Sequence, residues 1–382
     1  MIKKEQINET LRGFDKSKLT VATICSHSAL QIFFGAKQEG LRTLGIYTNE
    51  TQKKTYEAFH SSTPDEFIKV NSWKDILDEK IQEEMLERNA VIVPHGSFVE
   101  YVGSDNLLNG FSVPMFGNRE SLAWESDRKK QRYWLEKSAG LEMPREYSRN
   151  EIKEGKLYFV KFGGAKGGKG FFKIRSSQQI DEELEKMIKS KMLSKTDIES
   201  ITIQDYIPGS RYYHHFFFSP LSDAGWKIDV DGNNVGGVTM MGIDRRDETN
   251  IDDLHRTGLN PSEMREIGIV PSYSVAGNTP LIARESQLPK IFELADKSVK
   301  ASLKLFPPGM VGPFCIETFF TPEMKYITFE ISCRIVAGTN LYPSGSPYSA
   351  YAFGDESLST GRRIAQELKL AAKTNQLEKV IY

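Results

Sequence analysis

The sequence predicts an α/β fold at its N-terminal end that gives way to a strand-rich α+β region. Three observations carry this reading. Strand and helix patterns alternate from Leu19 to Pro94, strands dominate the C-terminal part, and a run of five glycines in eight residues (Gly163 to Gly170) separates two strand patterns between them. Alternation of that kind favours a parallel sheet with helices on both faces. At 382 residues the chain is too long for one ordinary domain.

Leu19–Ile24 reads as the first strand, Ser28–Glu39 as a helix closed by Gly40, and Arg42–Thr48 as the second strand. Phe67–Val70 is a short third strand. Trp73–Arg88 carries the amphipathic spacing of a helix, Ala90–Pro94 is the fourth strand and Val113–Phe116 the fifth. Ser121–Ala139 reads as one helix. Leu157–Phe162, Phe171–Ile174 and Ile201–Ile207 read as strands, with a helix at Gln178–Ser190; later helices are expected at Ser286–Leu305 and Thr360–Lys373. In open parallel sheets ligands bind beyond the carboxyl ends of the strands. Those ends here carry Ser26-His27-Ser28 and His95-Gly96-Ser97.

Composition excludes several classes. Fifty basic residues against fifty-one acidic ones leave a formal charge of -1, so neither nucleic acid nor an anionic membrane is an expected partner. The Lys186–Lys195 stretch reads as the solvated end of a helix. Cys25, Cys315 and Cys333 are odd in number and form no C-x-x-C pair, which suits buried thiols in a reducing compartment. The polar Met1–Thr10 segment has no apolar core of a signal peptide, and no run of ~18 apolar residues is available to span a bilayer. A cytoplasmic protein is expected.

The chemistry-bearing residues fall into four groups. The segment Gly163-Gly164-Ala165-Lys166-Gly167-Gly168-Lys169-Gly170 frees the backbone to cradle phosphates, with Lys161 just before it within reach; a merely flexible hairpin tip is the competing reading. It is not a Walker A loop, because no Gly-Lys-Ser/Thr opens a helix. Glu317 and Glu330 lie on two strand patterns joined at Thr321-Pro322-Glu323-Met324. A register centred between Glu323 and Met324 sets Glu317 opposite Glu330, with Ile316, Ile327, Phe329 and Ile331 on the other face. Two carboxylates that close make sense with a hard cation between them, Mg²⁺ or Mn²⁺, although a solvated outer face would tolerate them too. Arg334 shares the Glu330 face by parity and suits a transferring phosphoryl group. Gln204-Asp205-Tyr206-Ile207-Pro208-Gly209 suits a hinge against an adenine edge, or an ordinary strand-to-turn transition. Ser26-His27-Ser28 suits an anion at a helix start, or simply a cap. His214 and His215 face opposite ways on a strand and form no metal pair.

Taken together these segments resemble the ATP-grasp superfamily, and within it the archaeal formate–phosphoribosylaminoimidazolecarboxamide ligases. The resemblance runs over nearly the whole chain. Its carriers include Val93-Pro94-His95-Gly96-Ser97-Phe98, Pro114-Met115-Phe116-Gly117-Asn118-Arg119, Trp124-Glu125-Ser126, Gly277-Asn278-Thr279-Pro280, Pro307-Pro308-Gly309-Met310-Val311-Gly312 and Gly338-Thr339-Asn340. It implies a Rossmann-like parallel sheet (1–120), a small ATP-grasp part with the glycine-rich flap (121–207) and a large part with the metal-binding hairpin (208–382). It also implies roles. His27, Ser28, Ser97 and Asn278 contact the aminoimidazole carboxamide ribotide; Lys161, Gly163 to Gly168, Gln204, Asp205, Tyr206, Ile207 and Glu248 surround ATP; Glu317 and Glu330 bind the metal. Lys161 and Arg334 neutralise charge in transfer. Formate is the implied carboxylate, and a homo-oligomer the implied assembly.

Two features depart from the family pattern: Gln204 stands where an acidic residue is common, and Ala224–Val238 reads as an insertion beside the cleft or an oligomer contact. A paralogue joining another carboxylate to another amine would differ around Asn278 and His27. A non-catalytic nucleotide-binding regulator would tolerate losing one of the two glutamates, and this chain keeps both.

Overall fold

A computed structural model of the chain describes residues 1–162, 171–189, 201–248, 258–259, 263, 266–269 and 275–382. Its first layer is a parallel sheet of β1 (Thr20–Ile24), β2 (Arg42–Tyr47), β3 (Glu66–Lys69) and β4 (Ala90–Ile92), in the order β3-β2-β1-β4. β1 is buried along its whole length, which explains why its residues read as a continuous apolar run. The expected fifth strand is shorter than the pattern suggests. Met115 makes a single parallel bridge to Ile92, and Phe116 and Gly117 pair with Ile381. The last residues thus cover the sheet edge, with Tyr382 N–H donating to the Met115 carbonyl at 2.9 Å.

Two expected helices are broken, each at an aspartate with an extended backbone that stands at the N-cap of the next helix. Trp73–Leu77 is a short 3-10 turn begun by a Ser72–Asp75 capping box, and Asp78 then separates it from the α-helix Glu79–Leu86. The stretch read as Ser121–Ala139 divides into Arg119–Ser126, Arg128–Arg132 and a π-helical turn Tyr133–Ser138. Asp127 makes the break: its carboxylate accepts from the N–H groups of Lys129 and Lys130.

The second layer is a small antiparallel sheet, β5 (Glu146–Tyr147), β6 (Tyr158–Lys161), β7 (Phe171–Ile174) and β8 (Thr202–Asp205), in the order β5-β8-β6-β7. It packs on the helix Gln178–Lys189 through Tyr158, Val160, Ile180 and Leu184. β6 and β7 form the expected hairpin. The glycine segment between them, Gly163 to Gly170 with Lys166 and Lys169, lies outside the described residues.

The third layer is a six-stranded sheet: β9 (Ser210–Ser219), β10 (Trp226–Val230), β11 (Asn233–Glu248), β12 (Val275–Pro280), β13 (Gly312–Phe320) and β14 (Tyr326–Ser332). Its order is β10-β11-β9-β13-β14, with β12 also on β11. The expected insertion Ala224–Val238 contains the β10–β11 hairpin, turned at Asp231-Gly232 with both residues at positive φ. It forms the sheet edge opposite β14. The helix Leu288–Leu305 covers one face through Ile291, Ala295 and Val299.

The C-terminal helix Thr360–Lys373 returns to the first layer and lies against the helix Ala29–Gln38. Glycine on both sides permits the approach: a Cβ on Gly35 would fall 2.1 Å from the Arg362 nitrogen, and one on Gly361 2.2 Å from the Gln31 carbonyl oxygen. All three cysteines are buried free thiols, as expected. Among the described residues no helix is long and apolar enough to cross a membrane.

Arg119 ties the C-terminal residue to the first layer. Its buried guanidinium donates to the carbonyls of Leu107 and Val113 at 3.1 Å, of Tyr382 at 2.7 Å, and of Phe111. Arg119→Met keeps the packing volume and leaves those acceptors unmatched. A loss of ~3 kcal/mol or more in unfolding free energy is expected, read by urea titration. An unchanged midpoint would contradict the account of this network.

Candidate active site

One face of the six-stranded sheet carries the polar residues. Antiparallel register makes directly opposed residues share a face. Phe319 opposes Arg211, Glu317 opposes Tyr213, Cys315 opposes His215, Asp244 opposes Tyr213, and Arg246 opposes Asn278. The result is a floor on which Arg246 sits over the Tyr213 ring, 3.9 Å from its centroid, and donates to Glu317 at 3.1 Å. Arg211 pairs with buried Glu248 at 2.6 Å.

Glu317 and Glu330 face each other, with Ile316 opposite Ile331 and Cys315 opposite Ser332, as the predicted register requires. The remainder of the hairpin differs. A bulge after this pair sets Thr318 against Thr328 and Phe319 against Ile327, shifting the register by one residue. Ile316 and Ile331 stay in the apolar core. Phe329, expected on that face, packs instead with Tyr213, Cys315 and Val336, its ring 4.6 Å from Phe319. Simple alternation fails here because the bulge inserts one residue.

The glutamates differ in surroundings. Glu317 is 3% exposed, and burial together with the Glu330 charge pushes its carboxyl up to about 7 against the pull of Arg246. Glu330 is about a third exposed, and Arg128 and Lys161 outweigh its partial burial and hold it below the usual carboxylate range; Arg128 lies 3.2 Å away. Among the described residues no group of three or more His, Cys, Asp or Glu side chains gathers around a common point. A hard divalent cation on this pair would need further oxygens from phosphates and water, as Mg²⁺ has in nucleotide sites.

The pair opens into a cavity of about 780 Å³ lined by His27, Gly96, Arg128, Arg246, Asn278 and Arg334 among others. Arg334 is clamped by Glu125 at 3.0 Å, whose second oxygen accepts the Cys333 N–H at 2.7 Å. His27 has a left-handed backbone (φ 54) and stacks on His95 with ring centroids 5.3 Å apart. His95 bonds the Ile24 carbonyl through Nε2 and accepts the Ser97 N–H at Nδ1, which fixes its tautomer. Burial, then His95 and the nearby arginines, keep His27 neutral.

Of the residues expected to meet the ribotide, His27 and Asn278 line this cavity. Ser28 and Ser97 are buried behind it. Ser28 stands at the helix N-cap position but makes no side-chain cap; its hydroxyl bonds His27 Nδ1 at 2.8 Å. Ser97 bonds Ser26 at 3.0 Å.

A second cavity of about 250 Å³ adjoins the small sheet, lined by Lys161, Gln204, Asp205, Tyr206, Ile207, Arg211 and Phe319. Lys161 sits between the Phe159 and Phe329 rings, 5.8 and 5.6 Å from their centroids. Burial lowers its pKa, opposed by Glu330. Gln204 donates to Glu146 at 3.2 Å, and Asp205 is held by Lys156 at 2.6 Å.

Arg246, Arg128, Arg211 and Asp244 were not singled out from sequence, and Glu125 was quoted only within Trp124-Glu125-Ser126, without a role. The period-two series Asp244, Arg246, Glu248 was readable, once a strand was drawn there, as one polar face. Arg128 carried no signal, because the break at Asp127 is what aims it at Glu330.

A parallel sheet, a small antiparallel unit and a large sheet whose paired glutamates face a nucleotide-sized cleft define the ATP-grasp class of carbon–nitrogen ligases. The comparisons narrow the class. A family model described as "Domain of unknown function (DUF1297)" matches residues 179–382, and "Protein of unknown function (DUF1246)" matches residues 21–147. A 5-formaminoimidazole-4-carboxamide-1-(beta)-D-ribofuranosyl 5′-monophosphate synthetase of Methanococcoides burtonii is 48% identical over all of both chains, and one of Korarchaeum cryptofilum 47%. The crystal structure of an IMP biosynthesis protein PurP from Thermococcus kodakaraensis aligns over 95% of this chain and 100% of its own, with a TM-score of 0.70 and 28% identity. An ADP complex of N5-carboxyaminoimidazole ribonucleotide synthetase shares the fold over 92% of this chain and 77% of its own, with a TM-score of 0.61 and 13% identity. The chain belongs to the family of 5-formaminoimidazole-4-carboxamide ribonucleotide synthetases.

Proposed function

We propose that this protein is the ATP-dependent ligase that formylates 5-aminoimidazole-4-carboxamide ribonucleotide with formate in purine (IMP) biosynthesis. The observation that carries the reading is the Glu317–Glu330 pair, opposed across one hairpin and lining the larger cavity, with Lys161 in the smaller cavity attracted by the charge of Glu330. ATP belongs in the smaller cavity, its adenine edge against the Gln204–Ile207 backbone and its ribose near Glu248. The glycine segment Gly163–Gly168, outside the described residues, is the proposed phosphate-binding element.

Formate attacks the γ-phosphorus and ADP leaves, giving formyl phosphate. The exocyclic amine of the ribotide attacks the formyl carbon, loses a proton, and phosphate departs. A Mg²⁺ or Mn²⁺ ion bound by Glu317 and Glu330 supplies charge neutralisation at the phosphates. Lys161 and Arg334 hold the phosphoryl oxygens as charge shifts. His27 and Asn278 orient the ribotide, and Ser28 and Ser97 fix the wall that holds His27. Holding both substrates in one cleft protects formyl phosphate from water.

The three-part division at 1–120, 121–207 and 208–382, a homo-oligomeric assembly and a cytoplasmic location complete the reading. The test is ADP release by purified protein given ATP, Mg²⁺ and the ribotide, with and without formate. Release that requires both formate and the ribotide is expected. Release with another small carboxylate but not formate would replace this reading with that of a paralogous ligase.

A further inference from the structure

Asn278 lines the main cavity, but its side chain is not left to choose its own orientation. Its Nδ2 donates to Asp244 Oδ2 at 2.6 Å. The other oxygen of Asp244 accepts from His215 Nε2, also at 2.6 Å. Asp244 is 1% exposed and His215 2% exposed, so water does not compete at either contact. The surroundings are tight: a Cβ on Gly338 would fall 2.2 Å from Asp244 Oδ1 and 2.7 Å from His215 Nε2. Tyr342 closes the same region by donating to the Ile243 carbonyl.

An amide has a donor end and an acceptor end of nearly equal shape. A carboxylate beside it accepts only, so Nδ2 must face Asp244. The acceptor Oδ1 is then the end turned to the cavity. We propose that Asp244 and His215 are positioning residues that lock the Asn278 amide with its carbonyl toward the substrate. By this the site selects an amine co-substrate through an N–H donor. The inference rests on the proposed contact between Asn278 and the ribotide, whose amine and carboxamide both carry N–H groups.

Reversing the polarity of the pair tests this. In Asp244→Asn, His215 still donates to the residue 244 oxygen, which turns the new amide nitrogen toward Asn278. Two donors then meet, and Asn278 flips to present Nδ2 to the cavity. In Asn278→Asp, two carboxylates meet. In the double variant Asp244→Asn/Asn278→Asp, donor and acceptor are exchanged and an oxygen again faces the substrate.

The measurement is steady-state kinetics of the full-length wild-type, both single variants, the double variant and Asn278→Ala, with thermal midpoints alongside. Each polarity-reversing single variant is expected to raise KM for the ribotide by roughly 10–100-fold, with KM for ATP unchanged. The double variant should return to within about threefold of wild-type, as a coupled pair requires. A rise in KM alone supports an acceptor for the carboxamide, and a fall in kcat as well supports one for the reacting amine. Two results overturn the proposal: Asp244→Asn with wild-type KM while Asn278→Ala is impaired, or a double variant no better than the singles. Unimpaired Asn278→Ala instead removes the ribotide contact itself, the reading on which the proposal stands.

Discussion

Glu330→Gln is expected to lose formate-dependent turnover by roughly 10²–10³-fold or more while its thermal midpoint in the absence of nucleotide holds. The two effects have one cause. Without ligands Glu330 faces buried Glu317, and their repulsion adds to the burial that pushes Glu317 up to about 7. Glutamine removes that repulsion and keeps the shape. What it gives up is the attraction of Lys161 and the ion pair with Arg128, whose partners are 40% and 33% exposed, and this loss offsets the relieved repulsion. In the presence of ATP the carboxylate is needed, because an amide oxygen binds a hard divalent ion far less well than a charged one. The assay is ADP release at saturating formate and ribotide, with differential scanning fluorimetry on the same samples. A variant with full turnover would refute the assignment of Glu330 as a metal ligand.

Lys161→Met should separate phosphate binding from folding in the same way. The Lys161 ammonium lies over the Phe159 and Phe329 rings, and methionine offers them an unbranched apolar chain of similar length. Burial already lowers the lysine pKa, so the protein gains no stability from the charge as such. Without the ammonium, KM for ATP is expected to rise and kcat to fall, with kcat/KM for ATP down roughly 10²-fold and the midpoint unchanged. A fall in kcat/KM for the ribotide with normal ATP kinetics would place Lys161 elsewhere in the mechanism.

Much of the site was legible because its chemistry is carried by local patterns. The facing of Glu317 and Glu330 follows from one turn at Pro322 and strand alternation, and the observed pairing agrees there. The bulge beyond it was not legible. Phe329 is an apolar residue in an alternating run, and nothing local separates an alternating run from one with an extra residue. The parallel sheet was readable from apolar runs, but its edge was not, because Val113–Phe116 is completed by Ile381 and Tyr382 from the other end of the chain. Arg246 and Asp244 escaped for a related reason: β11 runs through glycines and charges from Asn233 to Glu248, and its strand character comes from its neighbours β9 and β12. His214 and His215, read as facing opposite ways, do so. One bonds Thr318 at 3.1 Å and the other Asp244 at 2.6 Å.

The central claim is that this site joins formate to phosphate before it joins carbon to nitrogen. The direct measurement uses formate carrying ¹⁸O in both positions, with ATP, Mg²⁺ and the ribotide, and mass analysis of the released phosphate. Passage through formyl phosphate transfers one formate oxygen to each phosphate and leaves the other in the formyl group of the product. Phosphate free of ¹⁸O, formed together with formylated product, would contradict the account.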